Sequence, residues 1–271
     1  MKQNCQSIAS SVLNKSEIAL LSNIPGMLKR QYSITRVARI SALLRTRTRE
    51  DIDTIIIYAQ KSDGGWSDTE ETIWCAKLLE AFGDEYTSQI NRAISWLKSI
   101  QHPLGGWGLT SRDMPRIPAT GLALTLLPQL ATESAFMWLE KEWAKDLQAD
   151  VKLTYKGGFT LMAFGRNSVQ PENPNLIEQT LTYLSAEQNK DGGFGPWKNH
   201  PIGSDPWSTG ITLVGLTSYP KLADRKVIEQ AVEWLCDNQL PSGYWRYHFI
   251  DEGSAYAYWG LTEALKYLGE L

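Results

Sequence analysis

With 271 residues, 42% of them hydrophobic, the chain can bury a globular core, and its formal charge of −3 argues against nucleic acid as its main partner. Eleven Trp and eleven Tyr mean that large rings will line any interior. Cys5, Cys75 and Cys236 are odd in number and widely spaced, which excludes a disulfide framework or a paired zinc knuckle.

The first stretch, MKQNCQSIASSVLNK, lacks the long apolar core of a signal peptide, and the longest aliphatic run, Ile55-Ile56-Ile57, falls far short of a membrane span. A cytoplasmic protein with reduced thiols is the reading. Residues 1–50 carry nine Lys/Arg against two acids, a local balance of +7, so the N-terminal helices can present a basic face to an anionic membrane or an acidic partner. A solvated face accounts for the same charges.

Taken in chain order, apolar periodicity predicts an outer helix over 8–28 and an inner one over 34–45. The next outer helix, 48–60, runs into Gln60-Lys-Ser-Asp-Gly64-Gly65-Trp66, and an inner helix over 70–82 follows. A third outer helix, 86–100, leads to Gln101-His-Pro-Leu-Gly105-Gly106-Trp107 and an inner helix over 117–128. After an outer helix over 132–148, a degenerate copy, Lys156-Gly157-Gly158-Phe159, accompanies an inner helix over 155–165. An outer helix over 172–189 carries Gln188-Asn-Lys-Asp-Gly192-Gly193-Phe194, and a longer loop then reaches Asp205-Pro206-Trp207-Ser208-Thr209 at the head of an inner helix over 206–217. The last pair, 222–238 and 253–267, flanks Gln239-Leu-Pro-Ser-Gly243-Tyr244-Trp245.

The repeat has a physical meaning. Its glycines stop one helix and let the chain turn at positive φ, the aromatic ring covers the corner, and the Gln amide can bond backbone groups left open at helix ends. Six outer and six inner helices in alternation describe an all-α fold: a single (α/α)6 toroid spanning 1–271, with the repeats clearest over 50–268.

These Gln-to-Trp corners resemble the QW motif of the terpene-cyclase and prenyltransferase superfamily, which includes squalene–hopene cyclases, class II diterpene cyclases and protein prenyltransferase β-subunits. The prenyltransferase zinc pattern needs Asp-x-Cys and a distant His. Here Gln3, Ile73 and Trp234 stand two residues before the three cysteines, so no metal and no other cofactor is expected.

The cyclase pattern Asp-x-Asp-Asp-Thr is met by Asp68-Thr69-Glu70-Glu71-Thr72, with Glu in place of Asp at both later positions. The resemblance implies Glu70 as proton donor and Asp68 and Glu71 as groups that tune it. It further implies an apolar isoprenoid-type substrate held among Trp74, Phe159, Phe164, Asp205, Trp207, Tyr256, Tyr258 and Trp259, since aromatic faces can hold a developing carbocation.

Other readings stay open. Asp68 with Glu71 three residues on is also a helix-capping arrangement, and Asp205 before Pro206 is an N-cap with proline at the first helical position. The rings can simply fill a core. A catalytically silent toroid that binds a protein, peptide or lipid at its mouth is the main alternative, and carbohydrate chemistry, known on other helical rings, is a third.

Overall fold

In the computed structural model, residues 3–29 and 34–271 are described, without the side chains of residues 3–7, 26, 28, 29, 54 and 55. Cys5 and part of the basic N-terminal stretch therefore lie outside the described side chains. Among the described residues there are twelve α-helices and no strand beyond one isolated bridge between Gln239 and Trp245. They are α1 (Gln3–Lys29), α2 (Ile34–Leu44), α3 (Arg49–Asp51), α4 (Thr69–Glu80), α5 (Thr87–Ser99) and α6 (Ile117–Leu126), then α7 (Glu133–Asp146), α8 (Thr154–Asn167), α9 (Leu176–Glu187), α10 (Pro206–Thr217), α11 (Arg225–Asp237) and α12 (Ile250–Leu268). α3 continues into a π-helical segment, Ile52–Ile57, where a plain outer helix was expected. No described helix is long and apolar enough to cross a membrane.

The chain divides into two compact units, Asn23–Leu139 and, with α1 up to Ser22, Glu140–Leu271. In the first, α4 packs on α2 and α6, with α5 outside it. In the second, α10 lies between α8 and α12, α9 backs α8, and α11 backs α10 and α12. Nearly every residue of α10 is buried, whereas α11 buries only one face, which is the difference between an inner and an outer helix.

The corners explain the repeat. Each Gln amide donates twice. Gln60 reaches the Gly64 and Gln89 carbonyls, Gln188 those of Gly192 and Val227, and Gln239 those of Gly243 and Val12, while Gln101 reaches the Gly105 carbonyl and the Thr132 hydroxyl. One bond closes the turn and the other ties it to the next outer helix. The first glycine of each corner has φ between 89° and 114°. A Cβ there would strike the backbone of that same neighbour, at Arg92, Ser134, Gln230 or Lys15.

Trp66, Trp107 and Trp245 are fully buried, and each indole N–H donates to a carbonyl ten residues upstream, at Ile56, Leu97 and Leu235. The backbone N–H of each corner ring donates to a hydroxyl in the first turns of the following inner helix, from Thr72, Thr120, Thr209 and Ser254. Lys156-Gly157-Gly158-Phe159 is not such a corner. It lies inside α8, where Gly158 packs against Ile211 of α10.

Candidate functional site

The acidic run opens α4. Asp68 is its N-cap, with Oδ1 accepting the Glu71 N–H at 2.8 Å. Glu71 does not complete a simple capping box. Its Oε1 accepts from the Ser67 N–H at 3.1 Å, while Oε2 crosses to α2 and accepts from both the backbone N–H and the hydroxyl of Thr35, at 2.9 and 2.8 Å. Glu71 is 5% exposed, so the two Thr35 donors and their acceptor are satisfied out of water, while Ser67 stands at the exposed edge.

Glu70, one residue back, points its carboxylate at Arg39 of α2, with a guanidinium-to-Oε1 distance of 2.5 Å. Arg39 is itself buried and lies over the Trp74 ring, 5.9 Å from its centroid. Asp68 is the carboxyl whose proton is held above the usual carboxylate range. Burial is the main cause; the Glu71 N–H opposes it, and the neighbouring Glu71 and Glu70 carboxylates reinforce it. Four charged side chains from two helices thus meet within the first unit.

The second unit gathers most of the expected aromatic residues. Trp207, in the first turn of α10, meets Tyr155 at 4.9 Å, Tyr256 at 5.7 Å and Phe159 at 6.1 Å between ring centroids, and Tyr256 meets Trp259 at 6.2 Å. The indole N–H of Trp207 is buried without a hydrogen-bond partner. Asp205 caps α10, accepting from the Ser208 N–H at 2.8 Å and its hydroxyl at 2.7 Å. Burial raises the Asp205 proton affinity, against the Ser208 bonds and the charge of His200.

Two expected residues do not share this arrangement. Tyr258, two residues beyond Tyr256, lies about 200° around α12 and feels Glu17 of α1 instead. Phe164 is fully buried about 140° around α8 from Phe159.

Tyr155 and Tyr247 belong to the neighbourhood but were not expected from the sequence. Tyr155 stands one helical turn before Phe159, a spacing that could have revealed it; Tyr247, on a loop, had no such signal. Tyr247 titrates above its ordinary range through burial and then through Asp205, Glu252 and Tyr155.

Cys75 is buried as a free thiol, and Cys236 is half-buried. Among the described residues no three His, Cys, Asp or Glu side chains converge as metal ligands. Of the N-terminal basic residues, Arg39 pairs with Glu70, Arg47 with Asp51, and Arg49 with Asp53 and Glu85.

Residues 68–268 match the family model of the prenyltransferase alpha-alpha toroid domain. Drimenyl diphosphate synthase of Streptomyces showdoensis is 24% identical over 206 residues, which is 70% of this chain and 38% of the relative. Squalene–hopene cyclase of Zymomonas mobilis is 21% identical over 217 residues, 66% of this chain and 33% of the relative. The chain thus spans only about a third of the length of these relatives. A variant of the type II terpene cyclase MstE from Scytonema, solved in complex with geranylgeranyl dihydroxybenzoate, superposes with a TM-score of 0.72 over 100% of both chains at 15% identity, a likeness of fold.

Proposed function

We propose that this chain, which belongs to the prenyltransferase alpha-alpha toroid domain family, binds an isoprenoid-type apolar molecule and cyclises it by protonation. The observation that carries the proposal is the set of three carboxyl groups at the head of α4, one of which, Asp68, is half-buried with its proton affinity raised by that burial. The motif alone names Glu70 as donor. Glu70 is instead the anionic half of a close ion pair with Arg39, and Glu71 spends its oxygens on Thr35 and Ser67. Asp68 keeps one carboxyl oxygen outside its capping bond, and we assign it the transferable proton. The carboxyl O–H would break as a C–H bond forms at the substrate double bond, and the final cation would return a proton to the carboxylate. Trp74, which lies under Arg39 in the same unit, is the candidate cation-facing group.

The test is conversion of linear polyprenols, polyprenyl diphosphates and squalene, with products identified by mass spectrometry. Asp68→Asn keeps the helix cap and removes the proton, so turnover should fall by roughly 10²–10⁴-fold with the fold intact. Full activity in that variant combined with loss in Glu70→Gln would return the donor role to Glu70.

The engagement of Glu70 and Glu71 in structural bonds favours one second reading, a non-catalytic toroid that binds a protein, peptide or lipid. Absence of both binding and conversion across the isoprenoid panel would select it. The basic stretch 1–50 could then serve as a surface for an anionic partner, and such binding would weaken as salt rises.

A further inference from the structure

A cavity of about 640 Å³ opens in the second unit, between the loop that leads into α10 and the fourth corner with the end of α11. Its wall includes Asp205, Asp237, Arg246 and His248 together with the rings of Trp234 and Tyr247. Asp205 is 6% exposed, and Asp237, Arg246 and His248 stand at the open rim. The volume falls within the range of small-molecule sites, about 300–1,000 Å³.

The chemistry of the wall narrows the ligand. A prenyl chain would cover two carboxyl groups, a guanidinium and an imidazole while offering none of them a hydrogen bond. An anion would meet Asp205 and Asp237, and a cation would meet Arg246. A neutral polyhydroxylated ring avoids both conflicts. Each hydroxyl both donates and accepts, so it can answer carboxylates and guanidinium alike. Its flat C–H faces suit the broad apolar surfaces of Trp234 and Tyr247.

We propose that this cavity is a binding site for a neutral saccharide, separate from the acidic set on α4. Asp205 and Asp237 accept from ring hydroxyls, Arg246 and His248 donate at the rim, and Tyr247 supplies a stacking face. The site is independent of the isoprenoid reading and can hold whether or not that reading does.

The experiment is titration calorimetry, with saturation-transfer NMR, of the full chain against glucose, maltose and cellobiose. Geranylgeraniol, tetramethylammonium and inorganic diphosphate serve as the apolar, cationic and anionic comparators. At least one saccharide should bind saturably. Asp237→Ala and Arg246→Ala, both at exposed positions, should keep the fold by circular dichroism and weaken binding by roughly tenfold or more. Tyr247→Ala should abolish the aromatic saturation transfer. The proposal is overturned if no saccharide in the panel binds, if binding is indifferent to these substitutions, or if a comparator occupies the cavity and the substitutions disrupt that instead.

Discussion

Asp205 and Glu71 are both buried carboxyl groups at the heads of inner helices, yet their surroundings ask different things of them. Asp205 has its proton affinity raised, chiefly by burial. An aspartate that binds its proton more tightly folded than unfolded adds stability that is fully present below the ordinary Asp value of about 3.9. That stability is lost as pH climbs through the higher folded value. Asp205→Asn retains a capping oxygen and cannot ionise. Urea midpoints of variant and wild type measured from pH 4 to 7.5 should therefore shift in the variant's favour as pH rises. His200 and Tyr247 face the same group, Glu252 faces Tyr247, and all three are common to both proteins. A difference that stays flat with pH would mean that Asp205 ionises like a surface carboxylate.

Glu71 instead ties α4 to α2, because it accepts from Ser67 and twice from Thr35. Glu71→Ala strands the two Thr35 donors in the interior and should cost on the order of 2–4 kcal/mol, while Glu71→Gln keeps an acceptor and should cost less. Equal midpoints for the alanine and glutamine variants would show that the α2–α4 link contributes little.

At the scale of elements, α8, α10 and α12 meet through glycines. Gly158 of α8 faces Ile211 and Gly215 of α10, and Gly165, seven residues on, faces Ser218, so the two helices run parallel. Gly210 of α10 sits against Gly260 of α12, where a Cβ would come within 2.2 Å of the Tyr256 carbonyl oxygen. An alanine in an open helix would gain about 1 kcal/mol over glycine. At position 210 that gain is overwhelmed by backbone overlap, and Gly210→Ala should destabilise by about 1–3 kcal/mol or more. A stabilised variant in urea unfolding would mean that the helices separate freely.

The helices themselves were legible in the sequence, since their 3.6-residue periodicity and the Gln-to-aromatic corners are local signals. Other features were not. The hydroxyls of Thr72, Thr120, Thr209 and Ser254 do the same job at four corners, but they follow their aromatic residues by 6, 13, 15 and 9 positions, so no fixed spacing betrays them. The Arg39–Glu70 pair joins residues 31 apart, and Thr35–Glu71 joins residues 36 apart, through packing of two helices that each read as ordinary. The motif located the acids correctly and said nothing about their partners, and those partners decide which acid can give up a proton.

For the molecule as a whole, the decisive contacts of the second unit join its two ends. The fourth corner finds its outer neighbour in α1, where Gln239 donates to the Val12 carbonyl and Tyr244 donates through its hydroxyl to the Ala19 carbonyl. Gly243, at φ 89°, lies so close to the Lys15 carbonyl that any side chain there would collide with it. These contacts link residues more than 220 positions apart, and the Gln239 bond and the Gly243 approach repeat the role that α11 plays for the third corner through Val227 and Gln230. Long-range closure of this kind carries a large entropic cost that only a well-made interface repays.

Removing residues 1–22 should therefore leave the helices of 140–271 able to form but strip one wall from the last corner. The Gln239 amide and the Tyr244 hydroxyl would then lose these bonds, and the face now covered by Val12, Leu13, Ala19 and Leu20 would be bared. The expected outcome is a clear fall in the thermal midpoint with little loss of far-ultraviolet helical signal beyond the deleted helix. New tryptic cleavage should appear first near Arg246, in the exposed loop after Trp245. Supplying residues 1–29 as a separate peptide should restore part of the lost midpoint, because the interface is then intermolecular and saturable. A truncated chain that melts like the full one would mean that α1 is a passenger on the fourth corner rather than its missing outer helix.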